Sequence, residues 1–504
     1  MVLALLGASG LAFLLAGIAA WRAGLAGRMA TCAWFGYLAC SACVAAFASA
    51  YAAWPAMASL NLVFDGPSSD LGNTLLCVVF AWLLFGSVLL AAHKGWLSRE
   101  GRAGHLPFTA AFYLLAFLYL NVLRERIEYG HDVYDYTLAA TNLFEHHPLH
   151  DRYLYPPLFA TLLEPLVPWG PQGMVLACIA ANYASLLLFF VLVRRTLVRY
   201  GFALNTATVC AFGLLCANVP VLRTLFFVQV NLHVANLVLA SLLFYVEGRS
   251  TRVLLSALAL ALAVHVKISP ILLALPYLLN KDWKWLLWFA GSLIGITAFT
   301  SAINGFEHYR EFLVNVANIH GANGVAYRDN SVDSIVSQTW RILGGDPGAA
   351  KIPILLARGG ILLAGAFLCF RMTRAQTLSS PTGDERTRDG NAARVLDTYP
   401  VLLFVMTSVS PLVWEHHPVF VVFPFLVLFK RVANQADAML YFVAYFAIFI
   451  VPTFDVYPFS FHRFVGTAIC YVLMFRFSQR SSADGPWFTQ ANAVLTRFDA
   501  ARSA

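Results

Sequence analysis

The sequence predicts an all-α polytopic membrane protein, a transmembrane helical bundle whose polar chemistry sits on outward-facing loops. Three observations carry this. Hydrophobic residues make up 60% of the 504, and charged residues only 12%, about half the charged share of a soluble globular chain. The mean hydropathy is +0.69. The apolar residues gather in runs near the length of about 20 residues that one helical crossing requires. Together they exclude a soluble enzyme, a disordered chain and a disulfide scaffold. Aromatic residues, at 14%, suit lipid-facing helices with interfacial belts. The nine cysteines are odd in number and lie inside apolar runs. Cys40 and Cys43 have a redox or metal spacing, but small residues packing helix on helix account for them better.

The first run, 2–21, has no Lys or Arg before it, and Arg22 and Arg28 follow it. A cleaved signal peptide has a basic segment first, so this is read as a retained helix with its N-terminus outside. Further runs fall at 30–53, 73–93, 106–123, 171–193, 203–222, 225–246, 253–280, 284–303, 352–371, 397–413, 417–430, 436–452 and 458–476. The run 253–280 is too long for one simple span. It is broken around Lys267 and Pro270 into two short legs, which gives about 15 membrane elements in all. Alternating the loops from an outside N-terminus puts most of the 34 Lys and Arg on the inner side. The outer loops then carry more acidic than basic residues, as the positive-inside rule requires. The net charge of +8 therefore reports orientation, not a nucleic-acid partner.

This topology divides the chain into a three-helix N-terminal extension (1–105), a core (106–476) and a polar cytoplasmic tail (477–504). The core contains a solvated inner linker at about 371–396, with Pro381, Gly383 and several Arg. The outer segments are 124–170, 218–224, 304–351 and the turn at 414–417.

The segment 124–157 is dense in Asp, Glu, His, Arg and Tyr. Asp132 and Asp135 are three apart and share a helix face. The alternative reading is a solvated loop capping the bundle. The turn Trp414-Glu415-His416-His417 puts two imidazoles and a carboxylate at the membrane surface with almost no loop. Histidine there suits proton transfer. Zinc with Glu415 would need further ligands that the spacing does not supply. His265 and Lys267 lie within an apolar run, where a buried cation is a functional candidate and snorkelling is the competing reading. Arg223, in the turn after Pro220, and Arg463, beside His462, add cations at outer helix ends. Gln229, Asn231 and His233 begin the next run, as ligand contacts or as helix-packing amides. Segment 304–351, with Tyr309, Arg328, Asp329, Asn330 and Asp333, is long for a connector and reads as a lid or binding loop. Such a site suits an anionic lipid head group and a hydroxyl-rich acceptor: cations hold the phosphate, and a carboxylate takes the hydroxyl proton.

In order, Asp132, Tyr136, Ala139-Ala140, Tyr153-x-Tyr155-Pro156-Pro157-Leu158, Gln229-Val230-Asn231, Lys267 with Pro270, and Ser410-Pro411 with Trp414 and His416-His417 resemble glycosyltransferase family 87. The resemblance covers roughly 105–476. It departs at Val228, where the family often has Gly, and at Glu415 before the histidine pair. The resemblance implies a GT-C type bundle that moves a sugar from a polyprenyl-phosphate donor to a lipid or glycan hydroxyl, with inversion, without a metal and without a further cofactor. Similarity to the mycobacterial phosphatidylinositol-mannoside mannosyltransferases favours mannose. It implies Asp132 as general base with Asp135 as reserve, and His416 or His417 orienting the acceptor or assisting proton transfer. Lys267, Arg223, Arg463 and His265 would hold the donor phosphate. Tyr136, Tyr155, Gln229, Asn231, Trp414, Glu415 and Arg328 would contact substrate. The expected location is a bacterial plasma membrane, with the site on the extracytoplasmic face, the C-terminus inside and no nucleic-acid partner. The competing classes are a transporter or flippase for a lipid-linked sugar, which would show midplane polar groups and inverted repeats, and a surface-polysaccharide ligase or polymerase.

Overall fold

The computed structural model describes residues 131–480, apart from 217, 249, 323–328, 346, 378–385 and 452–458, together with 485, 488 and 489. The N-terminal three-helix extension, the run 106–123, the Cys40–Cys43 pair, Arg328 and most of the tail lie outside the described residues. Among the described residues the secondary structure is all helical, as the composition predicts. Among the described residues, three helical stretches are long and apolar enough to cross a membrane: Pro157–Arg199, Trp283–Asn304 and Lys351–Met372. Several shorter apolar helices accompany them.

The chain begins with α1 (His131–Phe144), which carries Asp132 in its first turn. It continues through α2 (Pro157–Leu163) and a 3-10 turn to α3 (Gly170–Arg199). Pro157 and Pro171 stand in the first turns of α2 and α3, where the missing N–H costs nothing. The next apolar stretch is a bent pair. Thr206–Leu215 and Val219–Phe226 meet at 59°, within α4 (Leu204–Cys216) and α5 (Val219–Phe226). Asn218 caps α5 through Val221 N–H, and Pro220 follows in its first turn. Arg223 therefore lies on a helix. The expected turn after Pro220 is corrected, because a capped N-terminus with proline in the first turn initiates a helix rather than ending one.

α5 ends in a tight reversal. Val228 N–H donates to Leu225 O and Gln229 N–H to Thr224 O, a Schellman arrangement that needs a left-handed residue at Val228. Val228 has φ +52°. This explains in backbone terms why glycine suits the position. The reversal delivers Gln229 and Asn231 to the start of α6 (Asn231–Val246).

The long run 253–280 is broken as expected. α7 (Ser250–Val266) stops before Lys267, and a 3-10 turn at Ser269–Ala274 leads into α8 (Leu275–Leu279). Buried Trp285, on α9 (Trp283–Asn304), stacks on Tyr277 at 3.6 Å and donates to Ser256 Oγ at 2.9 Å. Ser241 Oγ donates to Ser256 O at 2.8 Å. One knot thus ties α6, α7, α8 and α9 together.

Two polar stretches are more helical than expected. Segment 304–351 forms α10 (Glu307–Ala322) and α11 (Val332–Ile342). The inner linker narrows, because α12 (Lys351–Thr377) runs into it and α13 (Arg386–Ser408) begins inside it. Charged residues with unbranched side chains keep good helix propensity despite their polarity. A 3-10 turn at His417–Val421 opens α14 (Val422–Phe429), followed by α15 (Gln435–Tyr445) and α16 (His462–Ser478). Gly466 lets α16 approach the π-turn Phe446–Ile450, since a Cβ there would lie 2.7 Å from Ile448 Cγ1. Asp437, fully buried, bridges to Arg476 at 3.0 Å and also to Arg480. This pins α15 to α16.

Candidate active site

The site is assembled from helix ends and the connections between them. On α1, Asp132 precedes Tyr136 by four residues, so both point to one side of the helix. Tyr136 is buried, edge-on to Tyr155 at 5.2 Å and to Phe159 at 5.1 Å. The Tyr136 and Tyr155 hydroxyls both donate to Gln229 Oε1, at 3.0 and 3.2 Å. Burial, and then neighbouring groups that include the Asp132 carboxylate, push both phenols upward in pKa. They stay protonated and act as hydrogen-bond donors.

The segment after α1 is fastened from outside. Glu311 Oε2 on α10 accepts from Leu149 N–H at 2.9 Å. Asn315 Nδ2 donates to His150 O and Tyr153 O at 3.0 and 3.2 Å. His150 Nε2 lies 3.0 Å from Asp135 O. The expected binding loop is thus a helix that holds the carboxylate-bearing segment against the bundle.

A second node centres on Lys267. Its Nζ donates to Asn231 Oδ1 at 3.0 Å and to His417 Nε2 at 2.8 Å, and it lies 5.5 Å from the centre of the Phe420 ring. With Nε2 accepting from the ammonium, His417 carries its proton on Nδ1. His417 Nδ1, His416 Nδ1 and Asn231 Nδ2 are buried without a hydrogen-bond partner. His417 Nδ1 and Asn231 Nδ2 are donors; buried donors left unmet are costly, and an oxygen-rich anion would satisfy them. The charge of Asp132 acts on Lys267 as well as on Tyr136 and Tyr155. The carboxylate is therefore within electrostatic reach of both the tyrosine–glutamine node and the lysine–histidine node.

The histidine rings stack with centres 4.7 Å apart, and Phe227 meets His416 at 5.8 Å. Arg223 Nε lies 3.1 Å from Glu415 Oε1, with both side chains about 5% exposed, so the charges largely balance in place. The guanidinium also faces Phe226 and Phe227. Arg463 is buried, donates to Val451 O at 3.1 Å, and its charge acts on His416. Lys267, Arg223, Arg463, Glu415, His416 and His417 thus form one electrostatic cluster. His265 stands apart from it: its ring nitrogens meet Leu293 O at 3.1 Å and Tyr309 Oη at 3.3 Å. Trp414 supplies its backbone carbonyl, which accepts from His417 N–H at 2.9 Å.

Several residues that support the cluster escaped the sequence reading. Thr224 Oγ1 donates to His416 O at 3.3 Å. Phe420 underlies Lys267. Asp329, named only as part of a long loop, accepts from Val413 N–H at 2.7 Å. Burial pushes its carboxyl up to about 6, against three hydrogen bonds that favour the charged form. A buried aromatic or carboxylate gives no spacing signal of its own. Among the described residues, no three His, Cys, Asp or Glu side chains gather as a metal site.

No curated protein and no solved structure matches the chain. Residues 153–382 match the model of glycosyltransferase family 87. That stretch includes Tyr155, Gln229, Asn231 and Lys267, while Asp132 and the 414–417 turn lie on either side of it. Over this stretch the chain is similar to glycosyltransferase family 87, and its helices of membrane-spanning length agree with a membrane protein.

Proposed function

We propose that the chain transfers a sugar, with mannose favoured, from a polyprenyl-phosphate donor to a hydroxyl of a lipid or glycan acceptor, with inversion and without a metal. The observation that carries this reading is the Lys267–His417–Asn231 node, with its unmet buried donors, inside the electrostatic reach of Asp132. The node matches a phosphate, and the carboxylate matches a general base.

The chemistry balances simply. The acceptor oxygen forms a bond to the anomeric carbon as its proton passes to Asp132. The bond from the anomeric carbon to the phosphate oxygen breaks, and the electron pair leaves on the phosphate. Lys267 and the donors around it stabilise that developing charge, which a fixed, water-poor site does far better than solvent. Asp135, on the same helix face, is the reserve base. His416 or His417 orients the acceptor or assists proton transfer. Arg223 and Arg463 contribute positive potential through the histidine pair, and Gln229, Tyr136 and Tyr155 shape the sugar side of the site. Trp414 and Glu415 are assigned to substrate contact, as is Arg328 by the family resemblance alone; His265, expected at the donor phosphate, stands apart from the Lys267 node.

The placement of basic residues supports a multi-pass protein in a bacterial plasma membrane, with the site on the extracytoplasmic face and the C-terminus inside. The test is transfer by the purified full chain in lipid from a panel of polyprenyl-phosphate sugars to native membrane lipids. Product from one donor supports the reading. No product from any donor opposes it, and a flipping assay with the same lipids then becomes the discriminating measurement.

A further inference from the structure

The histidine turn has almost no loop of its own, yet its histidine must hold a ring against Lys267 within hydrogen-bond distance. Something outside the turn must set its position. Asp329, 84 positions earlier in the chain, does so. Its side chain is 96% buried (4% exposed). Oδ1 accepts from Val413 N–H at 2.7 Å and from Ser331 N–H at 3.0 Å, and Oδ2 accepts from Ser331 Oγ at 2.7 Å. Asn330 N–H donates to Val413 O at 2.9 Å. Both backbone groups of Val413 are therefore held by residues 329–330.

The clamp is itself anchored. Ser331 caps α11 through Ser334 N–H at 3.1 Å. Asp333 on α11 pairs with Arg358 on α12 at 2.7 Å. Val413 is thus tied through Asp329 to two helices, and Thr224 on α5 holds the His416 carbonyl. The turn is fixed at Val413 and at His416, and the next residue, His417, meets Lys267.

We propose that Asp329 is a positioning residue. Its carboxylate fixes Val413 and thereby holds His416 and His417 in register with Lys267 and the donor phosphate. This rests on the phosphate reading of the Lys267 node given above. Asp329 touches neither reacting atom in this scheme; it acts through the backbone of the turn. An amide at the same place keeps the Oδ1 acceptor for both backbone N–H groups, whereas a methyl keeps none.

The experiment compares wild type with Asp329→Ala, Asp329→Asn, Ser331→Ala and Lys267→Ala, each as purified full chain in lipid. The probes are a polyprenyl-phosphate mannose donor and native lipid acceptor, each titrated separately. Displacing a substrate-positioning group by about an ångström costs roughly 100-fold, so Asp329→Ala should lose roughly 10- to 100-fold in kcat/KM for the donor, with a raised donor KM. Asp329→Asn should recover most of that loss. Ser331→Ala, which keeps the carboxylate but frees one of its oxygens, should show a smaller change of the same kind and serves if Asp329→Ala does not fold. Wild-type kinetics in Asp329→Ala, or a fall in maximal rate with both KM values unchanged, would overturn the proposal. Lys267→Ala separates the two failures. An unchanged donor KM there sinks the phosphate reading itself, whereas a raised donor KM there with Asp329→Ala unaffected sinks only the role of Asp329.

Discussion

Glu415→Ala removes one half of an ion pair that the fold has closed off from water. Arg223 Nε and Glu415 Oε1 are 3.1 Å apart, and each side chain is only about 5% exposed. Removing one member of a buried pair costs roughly 3–5 kcal/mol, because the remaining charge loses the group that offset its desolvation. Replacing both by apolar side chains of similar size costs far less and is often neutral. Arg223 also rests against Phe226 and Phe227, so methionine at 223 and leucine at 415 suit the surroundings. The expected order of thermal stability is wild type near Arg223→Met/Glu415→Leu, and Glu415→Ala well below both. At about 2.1 cal/mol/K per residue, a change of this size lowers the melting midpoint of a 504-residue chain by roughly 3–5 °C. The assay is the thermal unfolding of purified protein in detergent, followed by intrinsic fluorescence with the three proteins side by side. If Glu415→Ala melts with the wild type, the pair does not carry its charges as a buried unit and the reasoning fails.

Three further predictions follow from other parts of the fold. Val228 holds φ +52° in the Schellman turn after α5, a region that costs a side-chain-bearing residue about 1–2 kcal/mol. Val228→Gly is therefore expected to raise the melting temperature or leave it unchanged with transfer retained, and a clear fall would show that the Val228 side chain contributes more than its backbone strain costs. Gly466 admits no side chain beside Ile448 and Ala444 O, so Gly466→Val should destabilise by roughly 1–3 kcal/mol, read as a lowered midpoint of thermal unfolding; an unaltered midpoint would refute the close packing of α16. Asp329, with Asp333 and its partner Arg358 on the neighbouring helices and Glu415 two residues beyond Val413, has its carboxyl raised by burial from 3.8 to about 6. The folded state then binds this proton more tightly than the unfolded state. The stabilisation is complete below about 3.8 and is lost as pH rises through about 6. Relative to Asp329→Asn, the wild-type melting temperature should fall across that window, and parallel profiles for the two proteins would contradict the burial argument.

The helical class and the break at Lys267 were legible because composition and a buried cation beside Pro270 act locally. The ordered residues from Asp132 to His417 were legible as a family pattern, and much of that set does converge: Tyr136 and Tyr155 on Gln229, and Lys267 on Asn231 and His417. What the sequence concealed was partnership. Arg223 reads as a bare cation, but its neighbour Glu415 lies 192 positions away in the chain and balances it in the fold. His265 reads as a partner of Lys267 two residues on, yet its ring turns to Leu293 and Tyr309. Polarity also misled at 304–351, where α10 and α11 are helices whose polar side chains fasten the site from the side. Asp329 was indistinguishable from other loop carboxylates until Val413 was seen across from it.

In the proposed reaction, Asp132 accepts the acceptor proton while the Lys267 node holds the phosphate. The most direct measurement is sugar transfer from a polyprenyl-phosphate donor by wild type and Asp132→Asn in lipid, with donor binding measured on the same preparations. Asparagine keeps the shape of the side chain and removes its basicity. The account predicts that transfer is abolished while donor binding persists. Transfer near the wild-type rate in Asp132→Asn would contradict it.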